Sequence, residues 1–176
     1  MNKLIIFASS CGGKFAKPPP VEPEVIKGML NGNATQDESL STLFPNTWIL
    51  DNAEYIRNNL VLPASKVCRE SLLQQAGANS KWQGTCDRLD QLKMPYARPY
   101  GNDDISSPPT NSLMIAQRAP DAWLVQIIGG GRGAMFQYPE NVSSVIELFL
   151  SIAKQDIFGR SKKQQRPLLY HYSAGY

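Results

Sequence analysis

The sequence predicts an α+β fold, a helical hairpin followed by a small antiparallel sheet backed by one amphipathic helix. Three observations carry this. Two short helical patterns follow one another between residues 65 and 93, each with a cysteine on its apolar side. Strand-like runs flank the glycine-rich stretch "GGGRG" at 129–133. Residues 141–158 keep an apolar stripe at helical spacing, through Val142, Val145, Ile146, Phe149, Ile152, Ala153 and Ile157. At 176 residues with 42% hydrophobic and 19% charged residues, the chain can fill one core and is too apolar for disorder. A net charge of +3 is too small to argue for nucleic acid.

The first helical pattern of the main body runs from Asp51, a capping residue, to Leu60, with Pro63 beyond it. The next starts at Ser65 and stops at Gly77, with Cys68, Leu72 and Ala76 on one face. The third, ended by Pro95, places Trp82, Cys86 and Leu89 on one face. Residues 94–112, rich in proline, read as a long loop. "SLMIAQRA" and "AWLVQIIG" then read as strands joined at Pro120-Asp121, and "AMFQYP" as a third, completing a meander. Asn141 caps the final helix and Gly159 stops it. A basic stretch follows, with Arg160, Lys162, Lys163 and Arg166, and then the aromatic tail "LLYHYSAGY". Earlier, Val25, Ile26, Met29 and Leu30 have helical spacing, whereas residues 31–41 read as a polar loop.

The opening segment has two readings. Lys3 precedes a short apolar run, Leu4 to Phe7, and then Ala8-Ser9-Ser10-Cys11, Gly12-Gly13 and a run of prolines. This stretch resembles the lipobox and tether of a bacterial lipoprotein. The resemblance implies a signal segment at 1–10, a lipidated Cys11, a proline-rich tether at 11–47 and a domain at 48–176. It also implies an oxidising compartment, where Cys68 and Cys86 remain as a pair to bridge the two helices. Such a bridge would stabilise the fold by about 3 kcal/mol. The other reading makes residues 1–8 a core β-strand of a cytosolic α/β protein, with free thiols.

Motifs for chemistry are sparse. Gly129-x-Gly131-x-x-Ala134 follows a strand as a dinucleotide fingerprint would, but too little chain remains for the rest of that unit, so it reads as a hairpin turn. Ser151-x-x-Lys154 lies late in a helix, without its companion motifs. His171 is the single histidine; a Cys11–His171 pair has no orienting group, and zinc spacing is absent. Asp103-Asp104 reads as a solvated loop, since calcium-type ligands do not continue beyond it.

The resulting expectation is a non-enzyme, without cofactor, metal, nucleic acid or evident small-molecule substrate. It would be a lipid-anchored accessory subunit of an envelope assembly, such as a secretion, conjugation or pilus machine, on the periplasmic face of the outer membrane. Arg132, Arg160, Lys162, Lys163, Arg166, Tyr170, Tyr172 and Tyr176 would meet the partner, with residues 167–176 adding a strand to a neighbour's sheet. A periplasmic immunity-type binder and the cytosolic protein are the alternatives.

Overall fold

The computed structural model describes residues 3–20, 24, 27–28, 31, 35–60, 68–152 and 168–172. Its centre is a four-stranded sheet in the order β1-β2-β3-β4, formed by Leu4–Ile5, Tyr96–Gly101, Ala122–Ile127 and Leu168–Tyr172. Every neighbouring pair is parallel, so the fold mixes helix and sheet as expected but the sheet is not antiparallel.

The physical reason lies in β3. "AWLVQI" is apolar on both faces, and all but Gln126 is buried. A strand covered on both sides belongs to a parallel sheet with helices on each face. Alternate residues divide accordingly. Tyr96, Tyr100 and Leu124 pack with Ile115 and Ala116 of a helix at Pro109–Arg118 and with Ala119, which caps its end. Ala97 and Trp123 pack with Phe149 of a helix at Pro139–Ser151, while Ile127 packs with its Val142.

The helices are α1 Gln36–Leu43, α2 Asn46–Asp51, α3 Ala53–Asn59, α4 Arg69–Lys81, α5 Pro109–Arg118, α6 Ala134–Gln137 and α7 Pro139–Ser151. Helix α7 begins two residues before the expected range of 141–158, and residues 153–158 lie outside the described residues. Helix α1 falls in the expected polar loop. It starts at a capping box, in which Thr35 and Glu38 each bond the other's backbone N–H. "SLMIAQRA" belongs to α5 rather than a strand, and Pro109 at its start is pre-set for a helix. "AMFQ" is α6, so the glycine turn leads from strand to helix and is not a hairpin. The expected long loop holds β2, a fully buried strand. The expected third helix is only a 3₁₀ turn at Cys86–Gln91. Ser65 lies outside the described residues, as do Val25, Ile26, Met29 and Leu30.

The N-terminal segment is built into the core. Leu4 and Ile5 pair with Tyr96 and Ala97 as the core-strand alternative expects. Lys3 donates from Nζ to the carbonyls of Phe149 and Leu150, 2.7 Å each, and so caps the end of α7. Cys11 is 2% exposed and bonded to Cys86, with a Cα–Cα distance of 5.1 Å. Both expectations for the cysteines are corrected: Cys11, expected to carry lipid, is a buried bridge partner, and Cys68, expected to bridge to Cys86, is a free thiol exposed before α4. Within the expected tether, Cys11 and Phe15 join the core cluster. Likewise, Tyr170 and Tyr172 lie on β4, opposite Val125 and Ile127 of this chain's own sheet. The strand expected to be given to a neighbour is therefore internal.

Helices α1–α3 make a separate small cluster from Leu40, Phe44 and Ile56, with Trp48 and Ile49 packed against it. The Phe44 and Trp48 rings stack 4.8 Å apart. This cap sits on the loops that leave β2 and β3: Gly133 N–H donates to Leu43 O at 2.8 Å, and Ser106 Oγ donates to Thr42 O at 2.7 Å.

Candidate functional site

The loops after β2 and β3 emerge side by side at the carboxyl ends of adjacent parallel strands, where α/β sheets place their ligands. Asn102 Oδ1 accepts the Gly129 N–H at 2.6 Å, and Gly130 O accepts the Asp103 N–H at 2.9 Å. Two glycines permit this closeness. A Cβ on Gly101 would run into the Gly130 carbonyl oxygen, and Gly129 holds φ +73°. Gln137 braces the second loop, accepting from Gly131 N and donating to Gly129 O.

Asp104 sits at the centre of this arrangement and is only 3% exposed. Its Oδ1 accepts the backbone N–H groups of Ser106 at 2.8 Å and Ser107 at 2.7 Å, which fixes the carboxylate in a tight turn. Its Oδ2 is buried without a hydrogen bond among the described residues. Burial pushes the Asp104 pKa up, opposed by those two N–H groups and by Arg132 and Arg98.

Arg98, on β2, is fully buried. Its Nη2 donates to Ser9 O, and burial lowers its pKa against the opposing pull of Tyr96 and Asp104. Burial raises the pKa of the Tyr96 hydroxyl against the pull of the nearby Arg98 guanidinium, and among the described residues neither that hydroxyl nor Arg98 Nε reaches full hydrogen-bond geometry. Arg132, at the tip of the glycine-rich loop, donates from Nη1 to Ala8 O at 3.0 Å. Ser107 Oγ donates to Ser9 O at 2.9 Å. The turn after β1, where Ala8 has φ +41°, therefore gathers side chains from both neighbouring loops.

Of the residues expected to bind a partner, Arg132 is at this site, and Tyr170 and Tyr172 are on β4. Arg160, Lys162, Lys163, Arg166 and Tyr176 lie outside the described residues. His171 lies on β4 opposite Gln126. Ser151 ends α7, and Lys154 lies outside the described residues. Among the described residues no cluster of three or more His, Cys, Asp or Glu could hold a metal ion, and no helix is long and apolar enough to cross a membrane. Asp104 was expected to be solvated and is buried. The signal for it was a strand ending in glycine just before the acidic pair, but Arg98 and Pro99 hid that strand.

No protein-family profile matches the chain, and no curated protein is significantly similar to it. Solved structures do match. An α/β hydrolase enzyme from a Medee basin deep-sea metagenome library superposes with a TM-score of 0.66 at 13% identity, over 87% of this chain and 57% of that one. A thermophilic esterase from Thermogutta terrifontis gives 0.63 at 20% identity, over 84% and 55%. The enol-lactonase from Burkholderia xenovorans gives 0.63 at 15% identity, over 86% and 57%. The likeness is one of fold, and the chain spans little more than half the length of these structures. It tells against the expectation of a non-catalytic accessory subunit: the fold is similar to that of α/β hydrolase structures, and these neighbours are enzymes.

Proposed function

We propose that the chain serves α/β-hydrolase-type chemistry on small carboxylic esters or lactones, with Asp104 as the buried acid of the centre. The observation that carries this is the Asp104 carboxylate, held on Oδ1 by two backbone N–H groups, with Oδ2 left free beside the loop that ends the next strand. In this fold the triad follows the chain order nucleophile, acid, base, each at a strand end. Position 132 stands where a base would follow Asp104, and it carries an arginine. A guanidinium stays protonated, so Arg132 supplies fixed positive charge and cannot take a proton. The sequence contains no Gly-x-Ser-x-Gly, and its single histidine, His171, stands on β4 opposite Gln126 and not in the loop after β3. The reading therefore assigns this chain the acid, a cation and the helical cap, with water as the nucleophile: Asp104 takes the water's proton as its hydroxyl adds to the carbonyl, Arg132 offsets the oxyanion, and the alkoxide leaves with that proton. It is supported by the hydrolase, esterase and enol-lactonase neighbours, which share the fold.

The test is turnover of p-nitrophenyl acetate, p-nitrophenyl butyrate and a simple enol lactone by the purified protein. Hydrolysis above background is expected for at least one of them, falling at least tenfold in Asp104→Asn with circular dichroism unchanged. No turnover of any, or turnover indifferent to Asp104→Asn, overturns the proposal.

A further inference from the structure

A cleft of about 310 Å³ opens between the cap and the two loops, within the size range of small-ligand pockets. Its walls are unlike one another. Phe44, Pro45 and Ile105 make an apolar side, Thr42 a polar one, and Asp103 and Arg132 bring charge. We infer that this cleft is a binding site for a small monocarboxylate with an apolar body, anchored by the Arg132 guanidinium. The inference rests on the site placement proposed above and not on turnover.

Charge balance comes first. Asp104 faces two guanidiniums, Arg98 and Arg132; the second carboxylate on this wall, Asp103, is exposed and screened by solvent, so it offsets the pair only weakly. Arg98 is fully buried, so the surplus positive charge reaches solvent through Arg132, which is half-buried and lines the cleft. Among the described residues only one donor of the fork, Nη1, is given away, to Ala8 O. A planar fork of five N–H donors matches a carboxylate with two parallel bonds.

Asp103 then decides the ligand's charge. It is exposed on the same wall and takes a hydrogen bond from Asn102 Nδ2 at 2.8 Å. A dianion such as phosphate would meet this carboxylate as well as Arg132, whereas a monoanion can be placed on Arg132 alone. The Phe44, Pro45 and Ile105 side takes the apolar remainder. The acid released from an ester has this chemistry, which gives the site its place in the proposed reaction.

Isothermal calorimetry at pH 7 with benzoate, butyrate, benzamide and inorganic phosphate tests the inference. Benzoate should bind at least tenfold tighter than its neutral isostere benzamide and tighter than phosphate. Arg132→Gln should weaken benzoate at least tenfold, and Arg132→Lys, which keeps the charge but loses the fork, by an intermediate factor. Circular dichroism and a melt confirm that each variant is folded; should the glutamine variant unfold, the lysine variant and the benzamide comparison decide. Equal affinity for benzoate and benzamide, tighter phosphate binding, unchanged affinity in the variants, or no binding each overturns the inference. Calorimetry needs no turnover, so an inactive protein that binds benzoate defeats only the hydrolase reading, and an active one blind to carboxylates defeats only this.

Discussion

Reduction of the Cys11–Cys86 bridge should cost this fold much of its stability. The bridge closes a loop with a sequence separation of 75. In the chain-entropy relation such a loop carries about 15 cal/mol/K, or about 4.5 kcal/mol at 25 °C. Both sulfurs sit in the main core cluster, with Tyr96 and Leu124. The bridge also holds the strand-end turn, because Thr85 N–H donates to Cys11 O at 2.7 Å. Urea unfolding followed by tryptophan fluorescence, with and without a phosphine reductant, reads the effect. With a urea m value of about 2 kcal/mol/M, the midpoint should fall by about 2 M on reduction. A Cys11→Ser/Cys86→Ser variant should show the lowered midpoint without reductant. Cys68→Ser should leave the oxidised midpoint unchanged, because Cys68 is exposed and unbonded. A reduced midpoint within about 0.3 M of the oxidised one, or peptide mapping that finds Cys68 in the bridge, would refute the argument.

Two further outcomes are expected. The folded pKa of Asp104 lies above its ordinary value of 3.8, so in the window just above that value the folded state binds more protons than the unfolded chain. Its contribution to stability must fall as pH rises through that window, and subtracting the urea midpoints of Asp104→Asn from wild type between pH 4 and 6 should isolate the downward slope; a flat or rising difference contradicts it. Gly101→Ala drives a Cβ into the Gly130 carbonyl and should cost about 1–3 kcal/mol in urea while weakening benzoate binding, an expectation that fails if stability is unchanged.

Elements with an uninterrupted pattern were legible. The stripe from Val142 to Phe149 is α7, and "AWLVQI" is β3. Two-sided hydrophobicity in β3 was visible too, but whether a second helix or a second chain covers a sheet is not encoded in one strand. Helix α5 was misread because Leu113, Met114 and Ile115 form a short apolar run, and such runs do not distinguish strand from helix by period. Its polar helix start, "PPTNS", was the missing arbiter. The capping box at Thr35 and Glu38 stood in the sequence as a readable start, masked by glycine and asparagine just before it. Strand β2 is the deepest case. Arg98 and Pro99 argue against a central strand on every local scale, and only the fold around them makes that segment a strand. With β2 hidden, nothing marked Asp104 as standing at a strand end, and the one residue on which the site turns read as surface.

The turn after β1 has a consequence for handling the protein. Ala8 O and Ser9 O together accept from Arg132, Arg98 and Ser107, three side chains more than 85 positions away along the chain. Scission of the single peptide bond between Ser10 and Cys11 would separate both acceptors covalently from everything they hold, while the disulfide kept Cys11 in place. Cys11 is 2% exposed, so a protease reaches this bond only when the turn opens, and a ligand seated on Arg132 should slow the nick, so that a gel band records occupancy of the site.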